Sequence, residues 1–177
     1  MEIETFLLER LATPTGTLLI VNDDRGQLRA VDWEDHEPRL LRLMARYYRK
    51  PAVRLRATAR ASAARRALEA YFAGEFDAVD ALTTTTNGTE FQHAVWKALR
   101  RIPRGQTLSY GALAKAIGRP AAVRAVGAAN GANPIAIVVP CHRVIGANAT
   151  LTGYGGGLDR KRWLLTHESP RHRVAER

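Results

Sequence analysis

The stretch Ala81-Leu82-Thr83-Thr84-Thr85-Thr86-Asn87-Gly88 constrains this chain more than any other. It follows neither a helical nor a strand period, and it is built from residues that punctuate secondary structure. The sequence changes character across it. Ahead of it, residues 6–11, 17–21 and 28–33 are short apolar runs or alternations, separated by Pro14-Thr15-Gly16 and by Asn22-Asp23-Asp24-Arg25-Gly26. Such runs between turn-forming residues predict a three-stranded meander. Helical spacing follows over 39–48, where Leu40, Leu41, Met44 and Tyr47 share a face. It returns over 62–72 with Ala67, Leu68 and Tyr71, stopping at Gly74. Behind the stretch the pattern is mainly helical. The expectation is an α+β chain with a small sheet-and-helix domain over 1–80, a linker over 81–88, a mainly helical domain over 89–170 and a basic tail over 171–177. A chain of 177 residues has room for two such cores.

In the second half, Thr89 with Gln92 three residues on forms a capping box. The helix it opens carries Phe91, Val95, Trp96 and Leu99 as its buried stripe. Ser109 caps a shorter helix over 110–117 that Gly118 ends. After Gly118-Arg119-Pro120 a third helix runs to about Asn130. Two short helices joined by a tight turn predict a helix-turn-helix, although a plain helical hairpin has the same pattern. Residues 135–139, Ile-Ala-Ile-Val-Val, are continuously apolar and predict a buried strand. A helical turn, a Gly-rich loop over 147–157 and a final helix over 158–167 complete the domain.

The net charge of +10 is unevenly placed. Residues 1–80 hold thirteen Lys/Arg and thirteen Asp/Glu; residues 81–177 hold fourteen Lys/Arg against Glu90, Asp159, Glu168 and Glu176 alone. A basic half beside a balanced one suggests a face for a polyanion, or simply an Arg-rich solvated surface. No apolar run reaches transmembrane length, and the opening Met1-Glu2-Ile3-Glu4 lacks the charge and apolar core of a secretory leader. One cysteine forms no internal disulfide, and with five scattered histidines it makes no zinc-type cluster. These features predict a cytoplasmic protein with no metal, no cofactor, no membrane association and no obligate protein partner.

The same cysteine, Cys141, lies where the predicted strand gives way to a helical turn, and Pro140 closes the strand. A thiol at a helix start, followed by His142 and Arg143, is biased toward the nucleophilic thiolate. It is equally a small buried hydrophobe by position, and His142 is either its base or a core residue. Glu168 ends the last helix, where the dipole disfavours a carboxylate. Orienting a histidine is one use that offsets this cost; simple exposure is the other. The helix Ala121-Ala122-Val123-Arg124-Ala125-Val126-Gly127-Ala128-Ala129-Asn130 carries one charged side chain among small ones. It offers few groups to read base edges in a major groove. Its thinness suits a close approach to a minor groove of about 6 Å width, or close packing in a core.

Read together, Pro140-Cys141-His142-Arg143-Val144-Ile145-Gly146 resembles the active-site signature of the O6-alkylguanine-DNA alkyltransferases. The likeness extends to Phe91-Gln92-His93-Ala94-Val95-Trp96, Ser109-Tyr110-Gly111, Arg124-Ala125-Val126-Gly127, Asn133-Pro134, Gly153-Tyr154-Gly155 and Lys161-Arg162-Trp163. It is dense over 89–168 and looser over 1–80, where Thr13-Pro14-Thr15-Gly16 and Tyr71-Phe72-Ala73-Gly74-Glu75 fit the bacterial branch.

The resemblance implies a ribonuclease-H-like first domain and a helix-turn-helix in the second. It implies a repair protein that flips O6-alkylguanine, and O4-alkylthymine, out of duplex DNA and takes the alkyl group once, irreversibly, on Cys141. His142 would be the base through a water, Glu168 would orient His142, and Asn133 would brace the turn. Tyr110 would act at guanine N3, and the Cys141 and Val144 carbonyls would accept from the exocyclic amine. Tyr154 and the Gly155 amide would line the pocket. Arg124 would fill the gap left by the flipped nucleotide, with Ala122, Val123, Ala125, Gly127 and Asn130 against the minor groove. The chain departs from the family at Val123, often Ala, and at Gly155, where some relatives carry a hydroxyl. It also lacks the N-terminal Cys of the zinc-binding members. A thiol hydrolase and a non-catalytic DNA-binding module are the rival readings.

Overall fold

The computed structural model describes residues 3–49 and 52–169, so the predicted tail over 171–177 lies outside the described residues. The chain divides into two compact units between Asn87 and Gly88. The architecture is mixed α+β.

The first unit contains the predicted meander, β1 (Ile3–Thr13), β2 (Gly16–Asn22) and β3 (Leu28–Trp33). Leu18, Leu19, Ile20 and Val21 are all buried, so β2 is covered on both faces. Helix α1 (Glu37–Tyr47) buries Leu40, Met44 and Tyr47, and α2 (Ala63–Phe72) buries Ala67, Leu68 and Tyr71. Ser62 caps α2 by accepting from the Arg65 amide. A fourth strand, β4 (Ala52–Ala57), went unread in the sequence. It pairs parallel to β1, giving the order β3-β2-β1-β4. Its period-2 signal, Val53 and Leu55 alternating with Arg54 and Arg56, is brief and half-polar, as an edge strand's is.

The expected linker is corrected by its hydrogen bonds. Leu28 donates to the Thr83 carbonyl and accepts from the Thr85 amide, each at 3.1 Å. Tyr48 Oη also donates to the Thr85 carbonyl at 3.2 Å. Residues through Asn87 thus belong to the first unit, because β3 and Tyr48 offer partners to a backbone that a free linker would leave to water.

The second unit holds α3 (Glu90–Leu99), α4 (Tyr110–Ala116), α5 (Val123–Gly131) and α6 (Leu158–Glu168). The capping box forms: Thr89 Oγ1 accepts from the Gln92 amide at 3.2 Å, and Gln92 Oε1 from the Thr89 amide at 3.0 Å. Trp96 Nε1 donates to the Ala129 carbonyl at 2.9 Å and ties α3 to α5. The Trp96 ring lies so close to Gly88 that a Cβ there would meet it at 2.5 Å. Two-residue strands β5 (Leu108–Ser109) and β6 (Val144–Ile145) pair in parallel and anchor the segment after Cys141 beside the start of α4.

The expected strand over 135–139 does not form; the segment is a buried coil of turns. Val138 donates to the Ala136 carbonyl across Ile137, whose φ is +70°. That is a classic γ-turn, rare for a β-branched residue. Cys141 donates to the Val139 carbonyl across Pro140, at φ −81° and ψ 64°, an inverse γ-turn. Continuous apolarity reports burial on all sides, which a strand and a buried coil share.

Candidate active site

The two reversals deliver Cys141 into a single 3-10 turn, Cys141–Arg143. Three residues make no appreciable helix dipole, and the Cys141 amide is already committed to the Val139 carbonyl. The predicted help to the thiolate from a helix start is therefore corrected. What touches the sulfur instead is Asn133, whose Nδ2 lies 3.1 Å from Cys141 Sγ. Asn133 is buried, donates also to the Val139 carbonyl at 2.8 Å, and accepts from the Ile135 amide at 3.0 Å. One side chain thus closes the coil and positions the thiol.

His142 is fully buried, and its Nε2 stands 2.8 Å from Glu168 Oε1. Its Nδ1 is buried and takes no hydrogen bond among the described residues. With Nε2–H donating to the carboxylate, Nδ1 is the nitrogen left basic. Glu168 is also gripped by Arg143, from Nε at 2.9 Å and Nη2 at 3.0 Å, while Arg143 Nη1 donates to the Ile102 carbonyl at 2.7 Å. Burial pushes the Glu168 carboxyl up, but His142 and Arg143 outweigh it and hold it well below the usual carboxylate range. These partners offset the helix-end cost that marked Glu168 in the sequence.

Lys161, which sequence reasoning missed, is fully buried. Its Nζ donates to the Val144 carbonyl and, at 2.9 Å, to the Thr152 carbonyl. It lies on α6 seven residues before Glu168, two turns up the same side, a spacing that could have flagged it. The two carbonyls predicted to receive the substrate amine each carry a protein donor: Val144 takes Lys161, and Cys141 takes Asn130 Nδ2 at 3.4 Å. The Cys141 carbonyl also accepts from the Val144 amide, so it already has two donors.

Asn130 is thereby corrected. It is buried against the Cys141 carbonyl and is not part of an exposed α5 face. Val123, Arg124 and Ala125 are exposed, and Ala122, just before the helix, is half-buried. Gly127 faces the Tyr110 ring, which a Cβ there would meet at an ordinary van der Waals distance of 3.8 Å. Tyr154 and Gly155 are half-buried in the loop before α6. Hydrogen bonds join Asn133 and Asn130 to Cys141, and His142 and Arg143 to Glu168, and the two groups meet at the Cys141–His142 peptide; Arg124 stands apart from both.

Fold and site define a protein built around one buried, hydrogen-bonded thiol in a basic helical unit. A family model for 6-O-methylguanine DNA methyltransferase, DNA binding domain, matches residues 90–170. A methylated-DNA--protein-cysteine methyltransferase of Shigella flexneri is 52% identical over 162 residues, covering 92% of this chain and 95% of its own. A Mycobacterium tuberculosis protein of the same name is 62% identical over 104 residues, 59% of this chain and 62% of its own. The crystal structure of Mycobacterium tuberculosis OGT in complex with DNA is similar with a TM-score of 0.74 and 42% identity, covering 93% of this chain and 94% of that one. The chain belongs to the methylated-DNA–protein-cysteine methyltransferase family.

Proposed function

We propose that Cys141 accepts the alkyl group in a single irreversible transfer from O6-alkylguanine in duplex DNA. The observation that carries this is the sole cysteine of the chain, buried and hydrogen-bonded beside a His142 whose Nδ1 is unengaged. His142 takes the thiol proton through a water, and Glu168 fixes its tautomer. The thiolate sulfur attacks the sp3 alkyl carbon in line: the C–S bond forms, the C–O6 bond breaks, and the electron pair stays on the guanine. Tyr110 supplies a proton at N3, so the thiol proton ends, in net, on the base. No oxyanion develops, which sets this chemistry apart from a thiol hydrolase.

The lesion is stacked inside a duplex, so it must be extruded at a cost of a few kcal/mol, roughly. The exposed, small-residue face of Val123, Arg124 and Ala125 suits minor-groove approach, with Arg124 occupying the vacated stack and α4–α5 acting as a helix-turn-helix. Tyr154 and the Gly155 amide line the alkyl pocket, and the Cys141 and Val144 carbonyls receive the exocyclic amine. O4-alkylthymine is a second substrate. The first unit, with a ribonuclease-H-like arrangement, plays a supporting role. The protein works in the cytoplasm, and no helix among the described residues is long and apolar enough to cross a membrane.

The test is a duplex carrying O6-methylguanine with a labelled methyl group. One label per molecule should pass to the wild-type protein and none to Cys141→Ser. Label in the Cys141→Ser protein, or release of labelled methanol with turnover, would overturn the reading.

A further inference from the structure

The even charge of the first unit hides a segregation. Between Glu37 and Glu69 the chain carries ten Lys/Arg and no Asp/Glu, and nine of the ten are arginines. All thirteen acids of residues 1–80 lie outside that stretch. Ion pairs in the unit do not cancel it. Arg10 pairs with Glu34, Arg29 with Asp23, Arg39 with Asp32 and Arg65 with Glu69. Arg54, Arg56 and Arg60 are exposed, and no carboxylate among the described residues pairs with them.

The sheet sets these three on one side. In the parallel register of the edge strand β4, Arg54 lies beside Thr5 and Arg56 beside Leu7. Both therefore share the side of Thr5, Leu7 and Glu9. Glu9 accepts from the Ser62 amide at the start of α2, which marks that side as the one α2 covers. Thr5 and Leu7 are only half-buried, so α2 leaves the β4 border of it open. Arg60 stands in the connection from β4 to α2. Helix α1 lies on the other side, because its Arg39 meets Asp32, and Asp32 follows Val31, which is level with Ile20 and Glu9. Charged side chains on an edge strand discourage strand pairing. Acids would serve that end equally, and it does not require the run of cations to continue into the connection.

We propose that Arg54, Arg56 and Arg60 form a second duplex-binding surface, carried by the first unit, that holds the phosphate backbone without reading sequence. Arginine suits this because its planar fork donates two parallel hydrogen bonds to phosphate oxygens. Like charges two residues apart on one strand, about 6.6 Å, repel one another, and a polyanion laid across them offsets that cost. The surface takes no part in alkyl transfer. It adds salt-sensitive affinity that keeps the protein on undamaged duplex while lesions are sought. This rests on duplex DNA being the polyanion that the protein acts on.

The test is the full chain carrying Arg54→Gln, Arg56→Gln and Arg60→Gln together. Its affinity for an undamaged duplex should fall about tenfold at low salt, and the slope of log affinity against log salt should drop by about 2 to 3. The rate with free O6-benzylguanine should match wild type. Lysine at all three positions should keep the salt slope. Arg42→Gln with Arg46→Gln, on exposed positions of α1 across the sheet, should weaken binding by less than about twofold. An unchanged slope in the β4 set overturns the proposal. An equal loss per charge removed from the two sets also overturns it, because diffuse charge would then account for the binding.

Should the triple variant fold poorly, the wild-type protein supplies the decisive measurement. Bound duplex should shield Arg54, Arg56 and Arg60 from phenylglyoxal, read by peptide mapping, while Arg42 and Arg46 react as in the free protein. Reaction of Arg54, Arg56 and Arg60 at the free rate in the complex overturns the proposal. A wild-type protein that binds no duplex would instead overturn DNA as the partner, so the two failures are distinct.

Discussion

In the first unit buried Asp32 meets Arg39 at 2.6 Å, and buried Asp23 meets Arg29 at 2.8 Å. In the second, buried Glu168 meets Arg143 at 2.9 Å and His142 at 2.8 Å. The pairs look alike but are connected differently. Asp23 also accepts from the Arg25 and Gln27 amides, and Arg29 lies over the Phe6 and Tyr48 rings at 5.3 and 5.7 Å. That pair pins the β2–β3 turn to the core. Glu168 instead passes its influence to a histidine with one ring nitrogen unengaged, next in sequence to the thiol. The electrostatics diverge accordingly. Burial raises Asp32, and Arg39 offsets only part of that; two partners drive Glu168 down. The first kind of pair ties elements of the fold to one another, whereas the second is placed where it can bear on the thiol beside it.

The largest expected effect is at the sulfur. Cys141→Ser should abolish transfer and leave duplex binding within about twofold, since the basic surface is untouched; single-turnover assays and binding titrations check both. Loss of binding would mean that thiol and DNA surface are one structural unit.

Arg39→Ala should destabilise the protein by about 3–5 kcal/mol, because it strands a buried carboxylate. Asp32→Asn together with Arg39→Ala should recover most of that in chemical denaturation. Per folded molecule, the rate with free O6-benzylguanine should not change. A slowed reaction would erase the division between structural and chemical pairs.

Arg124→Ala should slow repair within a duplex by about ten- to a hundredfold, matching part of a few kcal/mol of flipping cost. Reaction with the free benzylated base should be unaffected. Arg124→Lys should regain part of the loss, as lysine lacks a planar group to stack. Equal slowing on both substrates would move Arg124 from the duplex to the pocket.

The acid limb of stability separates the two carboxylates. Glu168 has a depressed folded pKa, so its stabilisation is complete above the ordinary glutamate value of about 4.3 and is lost as pH falls below it. Asp32 has a raised folded pKa, so its contribution is most favourable below the ordinary aspartate value of about 3.9 and is lost as pH rises through the folded value. Glu168→Gln should flatten the fall in stability below pH 4 or so, and Asp32→Asn should not; urea midpoints against pH decide it.

The smallest effect is in the loop before α6. Ala149 has a φ of +60°, so Ala149→Gly should stabilise by a few tenths of a kcal/mol, roughly, once chain entropy is subtracted. A thermal scan that falls instead would place a packing role on its methyl group.

Caps and stops were legible because they are local: Thr89 with Gln92, Ser109 and Gly118 each act within a few residues. Cys141, His142 and Glu168 were legible as odd residue types in odd places. The coil over 135–139 was not, since apolar side chains do not say whether the backbone beneath them is extended. Edge strand β4 hid behind Arg54 and Arg56. Asn130 was misread because the helix pattern places it on α5 but does not say which side meets the Cys141 carbonyl. Arg143 and Lys161 showed only as charge, and their roles depend on contacts 25 and 17 residues away along the chain.

The central claim is that one thiol, once used, ends the protein's activity. Intact mass after incubation with rising amounts of O6-benzylguanine tests it most directly. The account predicts one benzyl group per molecule, mapped by peptide fragmentation to Cys141, with the free guanine released in equal amount and no further reaction at excess. Unmodified protein with continued release of guanine, or an adduct on any other residue, would contradict it.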